Sequence, residues 1–554
     1  MDLFVADFTY SHSKIDQDTL KTAFRRAIMA SRPCPAQLFL RLYWACFSLE
    51  KWLKFKFTAM DIVEIEKQLS KFIYELENED RLVRVGLKDK LESSKIYKKY
   101  KKLFNKEILA EIWDKIKKAK GENKEILERT YFAIASSVIG FETSEREDRI
   151  KTYFASAKVK VGNEIVHYFE LGPKISKEPI FVKREEYDKV ATGVVEKINS
   201  REKELLLAEI ALLKKLGFSG YIDYFSVAKK FDYGNFYKIV TKLIRATDKI
   251  WYTTIGQVSE EVFLRPFNKI LSCHMSYLRS LSMFDSFYPS AKVVSTFADN
   301  CKALGLSDLL NQIKIDEADR PKKNPRAVCY WPDPPKEVHL VIKPIGGEQD
   351  FEAMLHEGGH ALHGASVSPS LPFAFRVLSR SNALTEAYAF VLEDLVFNPH
   401  WLTKYMNVSA HSGAKIQKQA YFVNLMMLRR YLAKYTYEYE LFSSKVFSSG
   451  SKLYKNNMDR ITGFVHKEIN WLADMDGGFY SAEYLRAWLG AAQIKHYLEK
   501  KFGVKWFLEA RAGQFLRELY EDGVKYELEE VVSKLGYKPF DVSYLLDSYK
   551  KVLV

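Results

Sequence analysis

Residues 353 to 364 read AMLHEGGHALHG, and they constrain the fold more than any other stretch. The apolar residues around them recur at helical spacing. His356 and His360, four apart, therefore leave one face of a helix about one turn from each other. Each glycine inside a helix costs roughly 1 kcal/mol relative to alanine, yet Gly358 and Gly359 stand side by side between these histidines. Missing Cβ atoms are useful where something must come close, whether a second helix or an extended backbone from another molecule. The sequence leaves both open. Glu357 completes the pattern HExxH, in which two imidazoles hold a zinc ion and the neighbouring carboxylate takes a proton from water on that ion.

A catalytic zinc keeps three protein ligands and one open position, so a third ligand is required. The stretch NALTEAYAFVLEDLVF reads as an apolar helix that nevertheless carries Glu386. It follows the loop GASVSPSLPFAF and can return antiparallel to the histidine helix, which makes Glu386 the third candidate. Cobalt or manganese can occupy the same ligands. Glu393, on the same helix face as Glu386, is a candidate for orienting a ligand histidine. His363 reads as a hydrogen-bonded neighbour rather than a ligand, and Asp350, after the turn GGEQD, as the N-cap of the histidine helix.

Upstream, the chain is patterned as helix to about residue 155, as in IVEIEKQLSKFIYELENEDRLVRVGLKDKLE. Residues 157 to 183 switch to short alternation around GN and GP, which predicts a small strand-rich insert. Helical patterning resumes near residue 185. RPKKNPR, residues 320 to 326, reads as a loop. It precedes two β-rich runs, AVCYW and VHLVIKP, and the second offers an edge on which an extended peptide can lie. The remainder reads as helix.

The five cysteines are odd in number, scattered and without a CxxC pair, as expected of reduced thiols in a cytoplasmic protein. The start of the chain does not read as a signal peptide, and its most apolar run, AQLFLRLYWACFSLEKWL, is broken by Arg41, Glu50 and Lys51. The net charge of +14 is spread among interleaved acids, which reads as solvated helix faces rather than a nucleic-acid patch. Neither a nucleic acid nor a membrane is an expected partner.

These motifs resemble those of the oligoendopeptidase F and thimet oligopeptidase family of zinc peptidases. The likeness rests on DFEAMLHEGGHALHG, LPFAFR and ALTEAYAFVLEDL, with DRPKKNPRAVCYW and KLGFSGYIDYF upstream and GGFYSAEYLRAWLGAAQI downstream. It implies a mostly α fold, with two helical lobes enclosing a deep substrate channel and a small β element beside the HExxH helix. Residues 1 to 319 would form the lid and channel wall, and residues 320 to 554 the catalytic region. In that likeness His356, His360 and Glu386 match zinc ligands and Glu357 the catalytic base. Tyr480 and Tyr484 match tyrosines that hydrogen-bond the substrate carbonyl or oxyanion. The chain departs from the pattern in lacking a histidine just before Tyr480, the nearest being His466, and in replacing a further tyrosine near Ala487 and Trp488.

The expected activity is zinc-dependent endopeptidase action on short unfolded peptides. A metallocarboxypeptidase is the alternative, with Arg376, Arg380 or Arg486 holding the substrate's terminal carboxylate. A non-enzymatic basic binding protein with a structural metal is the remote one.

Overall fold

Ile65, Leu69 and Phe72 recur at three- and four-residue steps, and all three are buried on one face of helix α1 (Ile62–Arg84). The same periodicity builds α2 (Gly121–Ser156), α3 (Phe181–Lys215) and α4 (Tyr233–Val258). The computed structural model describes residues 61–554 apart from 321 and 325. Cys34, Cys46 and the apolar run and helical pattern read before residue 61 lie outside the described residues. The fold is mostly helical, with a two-stranded and a three-stranded sheet.

The two-stranded sheet is a hairpin of β1 (Lys158–Val161) and β2 (Glu164–His167), turned at Gly162, whose φ is +57°. Strand character ends there. Tyr168–Lys177 is a helix, although the sequence reads as strand-rich to residue 183. Leu171 and Ile175 explain the difference: four apart, both are buried, and their packing outweighs the hydrogen bond that Pro173 cannot donate inside that helix.

β3 (Ile313–Asp316), β4 (Val328–Asp333) and β5 (Glu337–Val341) form the second sheet, in the order β3-β5-β4. β3 runs parallel to β5 and β4 antiparallel to it, with Leu340 opposite both Ile315 and Cys329. The sheet thus joins segments on both sides of residue 320. β3 escaped the sequence reading because four residues of alternation are lost among helical patterns, and its partner lies beyond a long loop. VHLVIKP also needs correction: β5 is the middle strand, hydrogen-bonded on both sides, so it has no edge to offer. β3 and β4 are the outer strands.

The sheet packs against α5 (Glu348–Ser366), which carries the histidines. Gly346 and Gly347 adopt φ of +94° and +100°, and Gly347 rather than Asp350 is the N-cap. Asp350 lies within the first turn, and its carboxylate accepts hydrogen bonds from the Ile345 and Gly346 N–H groups, each at 2.6 Å. α6 (Ala383–Glu393) packs on α5 and on α8 (Tyr480–Phe502), while α7 (Ala410–Ser444) lies against α8.

On the surface, Lys88, Lys99, Lys115 and Lys117 each meet a carboxylate, from Glu79, Glu75, Glu111 and Asp114 respectively. Such exposed pairs contribute little stability, but they neutralise the lysine-rich runs locally. Among the described residues no helix is long and apolar enough to cross a membrane.

Candidate active site

The paired glycines belong to helix packing. A Cβ on Gly359 would lie 2.8 Å from the Ala389 Cα on α6, and one on Gly358 would lie 2.3 Å from a ring carbon of Phe297. Only glycine at 359 lets the two backbones approach this closely, and the approach delivers Glu386 to the histidines. Its Oε2 lies 3.4 Å from His356 Nε2 and 3.9 Å from His360 Nε2. Tetrahedral ligands at ~2.0–2.1 Å from a zinc ion are about 3.3 Å from one another. Glu386 Oε2 is buried and accepts no hydrogen bond. Such an oxygen is costly unless something cationic completes it. Two imidazole nitrogens and an orphaned carboxylate oxygen, all within 4.8 Å of one another, fit a divalent cation.

Two of these three side chains are held from behind. Glu393 Oε2 lies 2.6 Å from His356 Nδ1, which turns the opposite nitrogen toward Glu386. The Tyr480 hydroxyl donates to Glu386 Oε1 at 2.6 Å. In this structure Tyr480 therefore braces a metal-ligand candidate. Burial alone would raise the Glu386 pKa, but the two histidines and the Tyr480 hydroxyl reverse that and bring it down to about 2. Burial likewise opposes a charge on His356, yet Glu386 and Glu393 outweigh it and raise its pKa well above the ordinary value. For His360 burial wins, and its pKa is lowered. His363, fully buried, shares a 3.1 Å hydrogen bond through Nε2 with the Gly523 carbonyl and points away from the ligand set.

Glu357 faces the sheet. The Cys329 N–H on β4 donates to its Oε2 at 2.7 Å, which ties the carboxylate of the histidine helix to that outer strand. On α8, Tyr484 stands one helical turn beyond Tyr480, with ring centroids 4.9 Å apart. Its ring also packs on Phe390 and on Tyr431 of α7, and its hydroxyl has no hydrogen-bond partner among the described residues. Trp488, near the missing tyrosine, stacks on Phe390 with centroids 5.5 Å apart. Phe390 in turn packs on His356. His466 does not supply the missing histidine: it bonds to Asp459 and the Phe464 carbonyl and lines a separate cavity of about 400 Å³ with Arg430 and Asp474.

The three arginines proposed from sequence for a terminal carboxylate are already engaged. Arg380 binds Glu125, Glu128 and the Ala228 carbonyl, and Arg486 binds Glu529 and Ser381. Both line a cavity of about 630 Å³ that none of the site residues borders. Arg376 binds Asp333 and the Pro334 carbonyl.

No family model matches the sequence, and no curated protein sequence matches it. Solved structures do. A crystal structure described as a candidate oligoendopeptidase F from Bacillus anthracis str. Ames aligns over 99% of this chain and 97% of its own, with a TM-score of 0.56 and 14% sequence identity. At that identity the likeness speaks for the fold.

Proposed function

We propose that this chain is a metal-dependent peptidase of the zinc type, cleaving internal bonds of short unfolded peptides. The observation that carries the proposal is the orphaned Glu386 Oε2 facing His356 and His360 at 3.4 and 3.9 Å, one residue from the Glu357 carboxylate. The fold likeness to a structure described as an oligoendopeptidase supports it. His356, His360 and Glu386 would hold the cation. Once bound, it supplies a Lewis acid for the scissile carbonyl and lowers the pKa of a coordinated water toward ~7.

The chain's own residues do the rest. Glu357 takes the proton of the attacking water and passes it to the departing amine, a transfer that needs a carboxylate fixed within hydrogen-bond reach. The Cys329 N–H fixes it. Tyr484, beside Tyr480 and with no hydrogen-bond partner for its hydroxyl among the described residues, serves as donor to the carbonyl oxygen, on which charge develops. Tyr480 and Glu393 keep Glu386 and His356 in place. Cys273, Cys301 and Cys329 are free thiols, which suits a reducing cytoplasm.

The test is cleavage of a set of short peptides by wild type and Glu357→Gln, with bound metal quantified in both. Retention of about one zinc per chain with cleavage reduced by roughly 10²-fold or more supports the proton-transfer role. A wild type that binds zinc and cuts no peptide would refute the proposal.

A further inference from the structure

Gly478 and Phe479, the two residues ahead of Tyr480, both adopt left-handed backbone, with φ of +66° and +59°. A phenylalanine there is strained, so the turn persists only where its surroundings hold it. Two side chains from the first half of the chain do so, at the two ends of the short helix Tyr221–Ala228. The Gly478 N–H donates to the Tyr221 hydroxyl at 2.6 Å. Lys229, directly after that helix, donates through Nζ to the Gly478 carbonyl, also at 2.6 Å.

Lys229 has a second partner. Its ammonium also donates to Glu483 Oε1, and Glu483 Oε2 accepts the Asn382 N–H at 3.0 Å. Asn382 is the N-cap of α6, and its carbonyl accepts the Glu386 N–H at 2.9 Å. Glu386 Oε1 accepts the Tyr480 hydroxyl, and Tyr480 stands two residues past Gly478 and three before Glu483. The contacts therefore close into a ring that runs from Lys229 through Glu483, Asn382, Glu386, Tyr480 and Gly478 back to Lys229. The Lys229 and Glu483 side chains are only 13% and 2% exposed, so little water competes with their pairing. The Glu483 carboxylate also lies in the first turn of α8 and at the start of α6, where both helix dipoles favour a negative charge.

We infer that Lys229 and Glu483 are positioning residues for the metal-binding set. Together they clamp the amino ends of α6 and α8 at the spacing that presents Glu386 Oε2 to His356 and His360 with Tyr480 behind it. They act through Asn382 and Gly478, since among the described residues neither bonds to His356, His360 or the Glu386 carboxylate. The inference rests on the metal-binding half of the proposal above.

The experiment compares wild type, Lys229→Met, Glu483→Gln, the double variant Lys229→Met/Glu483→Gln, and a control, Lys323→Met. The control strips a buried lysine from Asp316, in neither α6 nor α8. Zinc affinity is read by competition with a chromophoric chelator, Tm by thermal unfolding with the metal removed, and kinetics on one internally quenched peptide. Each single substitution leaves a buried charge without its partner and should lower Tm. The double variant removes both charges, so it folds even where a single variant does not, and its Tm should exceed that of either single. Zinc affinity should not recover with it. Every variant lacking the clamp should bind zinc about tenfold more weakly than wild type, the lower end for contacts that support a ligand. Lys323→Met should keep wild-type affinity whatever its Tm. In the clamp variants kcat should fall with KM little changed, since neither side chain meets the peptide. Zinc affinity that returns in the double variant along with Tm would reduce the pair to a folding role and overturn the inference. Wild-type affinity in Lys229→Met would overturn it as well. A wild type that binds zinc and cuts no peptide removes the peptidase reading while the affinities still decide the clamp, and a wild type that binds no zinc overturns both.

Discussion

Gly359 and Ala389 meet backbone to backbone: a Cβ at 359 would stand 2.8 Å from the Ala389 Cα, closer than real Cβ atoms come to a main-chain atom. Gly359→Ala must therefore push α6 away from α5, since no side chain at the contact can swing aside. Overpacking of this kind costs about 1–3 kcal/mol. Because Ala389 lies one turn from Glu386, the shift also spreads the ligand set. Gly359→Ala should lower both Tm and zinc affinity, measured by thermal unfolding and by competition with a chromophoric chelator. Gly358→Ala presses instead on the Phe297 ring, 2.3 Å away, and should lower Tm with a smaller loss of zinc affinity. Equal zinc affinities in the two variants would show that α6 is not set by this contact.

The two tyrosines of α8 divide their work. Tyr480 donates to Glu386 Oε1 at 2.6 Å, whereas the Tyr484 hydroxyl has no hydrogen-bond partner among the described residues. Tyr480→Phe removes a brace from a ligand and should weaken zinc binding by about 10-fold, the lower end of what such supporting contacts contribute. Tyr484→Phe should keep zinc affinity and lower kcat by about 10²-fold, the loss expected for one donor to a developing oxyanion. Chelator competition and steady-state kinetics on the same preparations separate the two. Loss of kcat in Tyr480→Phe with full zinc affinity would reverse the assignment.

Much of this site was legible because its side chains have a fixed periodicity. His356, Glu357 and His360 declare a helix face, and Glu386 and Glu393, seven residues and so about two full turns apart, declare another. The structure brings both faces together through Gly359. What the sequence could not carry was main-chain chemistry. The Cys329 N–H that holds Glu357 has no residue signature, since every residue but proline has that group. Strand order was equally hidden: VHLVIKP reads as a strand, but only β3 on its far side shows that it is central and that β3 and β4 are the outer strands. Tyr431, which packs on Tyr484, comes from the middle of a long helix whose aromatic residues look alike in sequence. Asp350 shows how local signals mislead, because two glycines with positive φ moved the cap upstream of it.

Acid should loosen the protein far from the metal-ligand candidates, at His274. Its ring is fully buried and stacks on Phe181 with centroids 3.8 Å apart. Arg184 Nε donates to its Nδ1 at 2.8 Å, which requires a lone pair there, and Nε2 lies 3.3 Å from Glu185 Oε1. Burial first, then the charges of Arg184 and Arg265, lower its pKa from 6.5 to about 4, with Asp188 opposing them. The folded chain therefore binds fewer protons at this site than the unfolded chain between those two values. Stability from His274 is fully present above pH 6.5 and is lost as pH falls through about 4. His274→Gln keeps an acceptor for Arg184 but cannot titrate. The fall in Tm between pH 7 and pH 4.5 should be smaller in His274→Gln than in wild type, whatever the variant's Tm at neutral pH. Parallel curves for the two proteins would place the acid sensitivity elsewhere.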